Sequence, residues 1–175
     1  MRYGTLFSLH STYTDARNAV ESLKMEKEIP DKAINVVVEE NVAKLHLSDH
    51  LDLHKASTRK SAAAAQIAVS GLDAILIDQQ GRKVPDTGSV YFAGDFAVVL
   101  GRMADTTGRQ LGLARAMGEF GIPEPDAKIF ADGIAGGGFL LLIHGPEDMI
   151  GKAAAVLRRY NSVKIGYYAG GAGYS

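Results

Sequence analysis

The chain has 175 residues, a length that fits one domain with room for an insertion. A core of this size buries roughly 70% of the surface its unfolded chain exposes, so no metal or disulfide is needed to hold it together. Nineteen basic against twenty acidic side chains, with no Cys, argue against general nucleic-acid binding and exclude disulfides, thiolate metal sites and cysteine nucleophiles.

The opening Met1-Arg2-Tyr3-Gly4-Thr5-Leu6-Phe7 lacks the apolar stretch of a signal peptide. No run of about 18 apolar residues occurs to span a bilayer. Both observations predict a soluble cytoplasmic protein.

Arg2 to Leu9 reads as a strand. Thr12 stands three residues before Asp15 in capping-box spacing, with Asp in place of Glu or Gln. Ala16, Ala19, Val20 and Leu23 follow at the spacing of a helix with one buried face. Ile29-Pro30-Asp31 ends that helix, and Ile34, Val36 and Val38 carry the β-branched signal of a strand.

The middle is less regular. Glu39-Glu40-Asn41 predicts a turn that returns as a strand through Ala43, Leu45 and Leu47, and Ser61 to Val69 is Ala-rich and helix-forming. Leu72 to Asp78 reads as a strand and Gln79-Gln80-Gly81-Arg82 as a turn. Pro85-Asp86-Thr87-Gly88 predicts a second turn before Val90-Tyr91-Phe92. Asp95 to Phe120 reads as helical, and Glu124 to Ile134 as a further short helix.

Phe139 to His144 is a continuous apolar run, as in a central strand buried on both faces. Pro146, at a first helical position, precedes Glu147 and Asp148, which favour the positive end of a helix dipole. Met149, Ile150, Ala153 and Leu157 form one helical stripe, and Val163, Ile165 and Tyr167 alternate as a final strand. Two β-α-β units, at about 2–40 and 136–168, thus frame an insertion at 41–135. That arrangement predicts an α+β fold, a ferredoxin-like split β-α-β sandwich with a mixed or antiparallel sheet and an inserted helical segment. Residues 1–168 form the domain, and 169–175 a flexible Gly-rich tail.

Gly101, Ala104, Gly108, Gly112 and Ala116 are spaced by three, four, four and four, one small-residue stripe if the segment is a single helix. Each interior Gly costs about 1 kcal/mol relative to Ala. Close approach of a partner helix offsets that cost, within the chain or in a homo-oligomer. The competing reading is that Gly108 and Gly112 break the segment into two short helices. Arg102, Asp105, Arg109 and Arg115 exclude stable membrane insertion of this stretch, at about 2.5–3.5 kcal/mol per charge near the bilayer centre.

The stretch Val84-Pro85-Asp86-Thr87-Gly88-Ser89-Val90-Tyr91-Phe92-Ala93-Gly94-Asp95 resembles the PG-x-GP-x-x-x-AGP turn of the YflT-like heat-induced general stress proteins. Gly121-Ile122-Pro123-Glu124-Pro125-Asp126-Ala127 resembles their G-I-P-E-x-x-A, and Gly136-Gly137-Gly138-Phe139-Leu140-Leu141 their R-G-G-x-L-V. The resemblance leaves out about residues 44–75. It implies a small bacterial stress-associated protein on a ferredoxin-like framework, with no catalytic residues to carry over. The family often has a glycine-zipper, membrane-like middle, from which this chain departs by placing charges there.

Three histidines, His46, His50 and His54, with Asp49 and Asp52 between them, recur at a four-residue spacing that keeps the imidazoles on one side of a helix or one face of a strand. Imidazole and carboxylate suit Zn or Ni, whereas the bland reading is a solvated polar face. No His-Glu-x-x-His motif supports metalloprotease chemistry. His10 and His144 end the first and the late apolar strand. Brought to one sheet edge they would form an anion-binding or proton-transfer pair; otherwise they satisfy loop backbone groups. Gly136-Gly137-Gly138 precedes a strand and not a helix, so it reads as a tight connection, not a phosphate loop.

These observations predict a non-enzymatic, stress-associated protein that self-associates through its Gly/Ala helices and carries no cofactor. The alternative is a metal- or small-ligand-binding protein that uses His46, His50 and His54.

Overall fold

A computed structural model describes residues 3–45, 71–76, 81–85, 87–105 and 111–169. The first β-α-β unit is β1 (Tyr3–His10), α1 (Tyr13–Lys24) and, after a 3-10 turn at Asp31–Ala33, β2 (Ile34–Glu39). Next come α2 (Gly71–Leu76), the hairpin β3 (Gly81–Val84) and β4 (Gly88–Ala93), and three helices. These are α3 (Asp95–Ala104), α4 (Leu113–Gly118) and α5 (Glu124–Ala135). β5 (Phe139–Pro146), α6 (Glu147–Leu157) and β6 (Lys164–Ala169) form the second unit.

The strands make one six-stranded sheet in the order β3-β4-β2-β5-β1-β6, antiparallel at every neighbour. The two β-α-β units interlock: β5 lies between β1 and β2, and β1 lies between β5 and β6. The apolar run of β5 explains its place. Phe139, Leu141 and Ile143 face α1 and α6, while Leu140 and Leu142 face α3, α4 and α5. A strand covered on both sides needs apolar side chains at odd and even positions alike.

Helices therefore cover both faces of the sheet. α1 begins where Thr12 Oγ1 accepts the Asp15 N–H at 3.2 Å, and the Thr12 hydroxyl donates to Asp15 Oδ2 at 2.9 Å. The shorter Asp thus works in the capping box by receiving the hydroxyl. Ala16, Ala19, Val20 and Leu23 are fully buried, as their spacing predicts. α6 opens after Pro146 with Glu147 and Asp148 in its first turn, and Met149, Ile150, Ala153 and Leu157 pack inward. Pro146 itself closes β5 and stands just outside the helix, one position earlier than its sequence suggests. β6 is tied to α5, with the Tyr168 hydroxyl donating to Asp126 Oδ2 at 2.9 Å and Lys164 Nζ 3.2 Å from Asp126 Oδ1.

Four expectations for the insertion fail, one of them the turn expected over Gln79-Gln80-Gly81-Arg82, whose Gly81 and Arg82 instead open β3. Residues 40–45 are helical rather than a turn and returning strand. Leu72 to Leu76 is helical too, because Leu72 and Leu76, four apart, bury one face against the α1 layer. The helix expected over Asp95 to Phe120 is two helices. Asp105 leaves α3 in an extended conformation, and Gly112 has φ +80 just before α4. A left-handed backbone at Gly112 ends any continuous helix there.

Three glycines mark junctions of the fold. Gly94, Gly121 and Gly137, one in each motif, all have positive φ and sit beside the start of a helix or strand. Among the described residues, no helix is long and apolar enough to cross a membrane.

Candidate functional site

His144 anchors an open recess of about 410 Å³ at one end of the sheet. Tyr3 comes from the start of β1, Lys32 from the 3-10 turn, Asn35 from β2, Asp95 and Phe96 from α3, and Met149 from α6. These six come from five separate elements and meet because β1, β2 and the first turn of α3 all begin where β5 ends.

The local geometry follows from the pleat. His144 falls on the same face as Leu140 and Leu142, so its ring turns toward α3. It stacks on Phe96 with centroids 4.9 Å apart and planes 14° from parallel, and Tyr3 lies 6.0 Å away at a tilt. Phe96 is supported in turn by Phe120 at 5.0 Å. His144 Nδ1 lies 2.9 Å from Thr5 Oγ1, its partner across the β1–β5 ladder. Burial holds the imidazole pKa below its ordinary value, against the opposing pull of a hydrogen bond to the Gly4 backbone. At neutral pH the ring is therefore uncharged and acts as a flat, polar-edged surface.

The floor is fixed by Asn35, which is fully buried. Its Oδ1 accepts the N–H groups of Phe96 and Ala97, and its Nδ2 donates to the carbonyls of Ala33 and Leu142. Two backbone donors of the first turn of α3, those of Phe96 and Ala97, are thus already occupied. Gly94 approaches the carboxamide so closely that a Cβ there would overlap Asn35 Oδ1, and its φ is +108. Lys32 and Asp95 are both exposed at the rim.

His10 and His144 are not a pair. β1 and β5 are antiparallel, so His10 sits opposite Phe139 while His144 sits opposite Thr5. Five strand residues separate the two positions, about 17 Å along the sheet. They also point to opposite faces. His10 is fully buried, with Nδ1 donating to the Asn161 carbonyl at 2.7 Å and Nε2 accepting the Ser8 hydroxyl at 2.7 Å. It satisfies loop and strand groups, the second of the two roles its position suggested.

The small-residue stripe dissolves with the single helix that would have carried it. A Cβ on Gly101 would lie 2.8 Å from Phe92 Cγ, and Ala104 and Ala116 are fully buried inside the chain. Gly112 is in no helix, and Gly108 lies outside the described residues. Among the described residues, Gly101 and Ala104 in α3 and Ala116 in α4 thus pack within the chain.

His46, Asp49, His50 and His54 also lie outside the described residues. Among the described residues, no three His, Cys, Asp or Glu side chains converge to hold a metal ion. Gly136-Gly137-Gly138 is the tight helix-to-strand connection expected, since a Cβ on Gly138 would lie 2.8 Å from the Gly133 carbonyl.

Lys32, Asp95, Tyr3 and Phe96 carry no local signal of a shared site. Asn35 does carry one, as a carboxamide among the β-branched residues Ile34, Val36, Val37 and Val38 of β2. Compared with family models, curated proteins and solved structures, the chain finds no match in any of the three.

Proposed function

We propose that this is a non-enzymatic, small-ligand-binding protein on a ferredoxin-like framework, and that its ligand site is the recess around His144. The observation that carries the reading is the aromatic wall. An uncharged imidazole, stacked on buried Phe96 and flanked by Tyr3, lines a recess whose volume falls within the range of small-molecule sites. Apolar and aromatic walls with a few convergent polar groups are what such sites use to bind and orient a ligand.

The sheet order β2-β5-β1-β6, with each β-α-β unit straddling a strand of the other, supports the ferredoxin-like framework. The hairpin β3–β4 and the layer α3–α5 are additions to it. A role in a bacterial stress response, in the cytoplasm, is supported by the order of the three motifs shared with the general stress proteins. Those motifs supply junctions of the fold and leave the ligand to the recess.

The test is an NMR-detected titration of the full chain with a library of small aromatic compounds. Binding compounds are expected to shift signals of Lys32, Asp95, Phe96 and Gly145 together. A His144→Ala variant with an unchanged melting temperature should lose those shifts. Shifts scattered elsewhere, or shifts that survive in His144→Ala, would remove the recess as the site.

A further inference from the structure

We infer that the ligand of the recess is a small zwitterion of the α-amino-acid type with a planar side chain, its carboxylate at Lys32 and its ammonium at Asp95. This rests on the binding reading above and goes further by fixing the charge pattern of the ligand.

One ammonium and one carboxylate line the same recess, from the 3-10 turn and from the first turn of α3. Among the described residues neither Lys32 nor Asp95 has an ion-pair or hydrogen-bond partner. The imidazole of His144 is neutral, so the formal charges of the described lining residues sum to zero, with one charge of each sign on a different element. A ligand of zero net charge and separated ends matches that pattern. A simple anion would meet Asp95 as well as Lys32, and a simple cation the reverse.

The start of α3 argues against the usual alternative, a phosphate. Phosphate sites use free N–H groups at a helix N-terminus or a guanidinium fork. Here the Phe96 and Ala97 N–H groups already donate to Asn35 Oδ1, and no Arg lines the recess among the described residues. The aromatic surface of His144, Phe96 and Tyr3 is left to receive a flat side chain, by offset or tilted stacking.

The test compares three probes by calorimetry on the full chain: phenylalanine, phenylacetate, which lacks the ammonium, and phenethylamine, which lacks the carboxylate. Phenylalanine is expected to bind about tenfold more tightly than either. Lys32→Met should bring phenylalanine down to the level of phenethylamine, and Asp95→Asn down to that of phenylacetate. Both side chains are exposed, so neither variant should alter folding, and a melting curve checks this. Equal affinity for phenylalanine and either truncated probe would overturn the inference, as would an affinity unchanged in both variants. If all three probes fail while neutral benzamide or indole still shifts the Phe96 and Gly145 signals, the zwitterion is wrong and the binding site stands. If nothing shifts them, both readings fall.

Discussion

The side chain of Asn35 caps a helix that begins sixty residues later. Its Oδ1 accepts the Phe96 N–H at 3.0 Å, doing from a neighbouring strand what an N-cap residue normally does from its own chain segment. The residue at the N-cap position itself, Gly94, has no side chain to offer. The wall of the recess is therefore positioned from below, by a buried group that holds Phe96 where it meets His144.

Asn35→Leu should destabilise the fold by about 2–4 kcal/mol, because it removes a helix cap and leaves buried donors and carbonyls unpaired. Asn35→Asp keeps the acceptor for Phe96 and Ala97 but loses both donated bonds. Urea denaturation of the two variants should both fall below the parent, and a loss under about 0.5 kcal/mol for Asn35→Leu would contradict the capping role.

Two glycines, each inside a helix, should respond with opposite sign. Gly151 in α6 has open space where a Cβ would stand, so Gly151→Ala should stabilise by about 1 kcal/mol. Gly133 in α5 lies against Leu9, whose Cδ2 a new Cβ would overlap. Leu9 is buried and has little room to retreat, so Gly133→Ala should destabilise by about 1–3 kcal/mol. Thermal melts that move in the same direction would show that the α5–β1 packing is looser than described.

Asp105, almost wholly buried, is held by Arg82 with Nη1 2.7 Å from Oδ2. Arg82→Met takes the guanidinium away from a buried carboxylate and should cost about 3 kcal/mol. The double variant Arg82→Met/Asp105→Asn removes the stranded charge and should recover at least half of that loss in a denaturation series. No recovery would mean that the Arg82 stem, not its charge, carries the effect.

Stability should fall on mild acidification. Desolvation holds the pKa of His10, and likewise that of His144, below the ordinary value of 6.5. Above 6.5 both rings are neutral in the folded and unfolded chain, and no linkage arises. Below it the unfolded chain takes up protons that the folded chain resists, so stability declines until the folded-state values are passed. Asp126, held low first by the Tyr168 hydroxyl and then by Lys164, adds a further loss at more acidic pH, as the pH falls from the ordinary carboxylate value of 3.8 toward its lowered folded-state value. His10→Gln is expected to flatten the slope between about pH 6.5 and 5. An unchanged slope would assign it to other groups.

The elements of the two β-α-β units were readable because their signals are local. A capped amphipathic stripe in α1, β-branched runs in β2 and an eight-residue strand buried on both faces in β5 each declare themselves within a dozen residues. The insertion was harder to read for the same reason. Leu72-Asp73-Ala74-Ile75-Leu76 suits a strand or a helix equally as a short apolar run, and packing against the α1 layer decides it. The stripe from Gly101 to Ala116 has helical spacing throughout, yet Gly112 takes a left-handed conformation that spacing cannot reveal.

The same division holds for the candidate site. Composition and local pattern by themselves determined the secondary elements at both ends, the absence of cysteine chemistry and the prominence of His10 and His144. Only the antiparallel pairing of β1 with β5 sent those two histidines to opposite ends and opposite faces, since strand direction is set by long-range register. Tertiary structure alone brought Lys32, Asp95 and Phe96 beside His144, because contacts between residues so far apart in sequence depend on how whole layers stack.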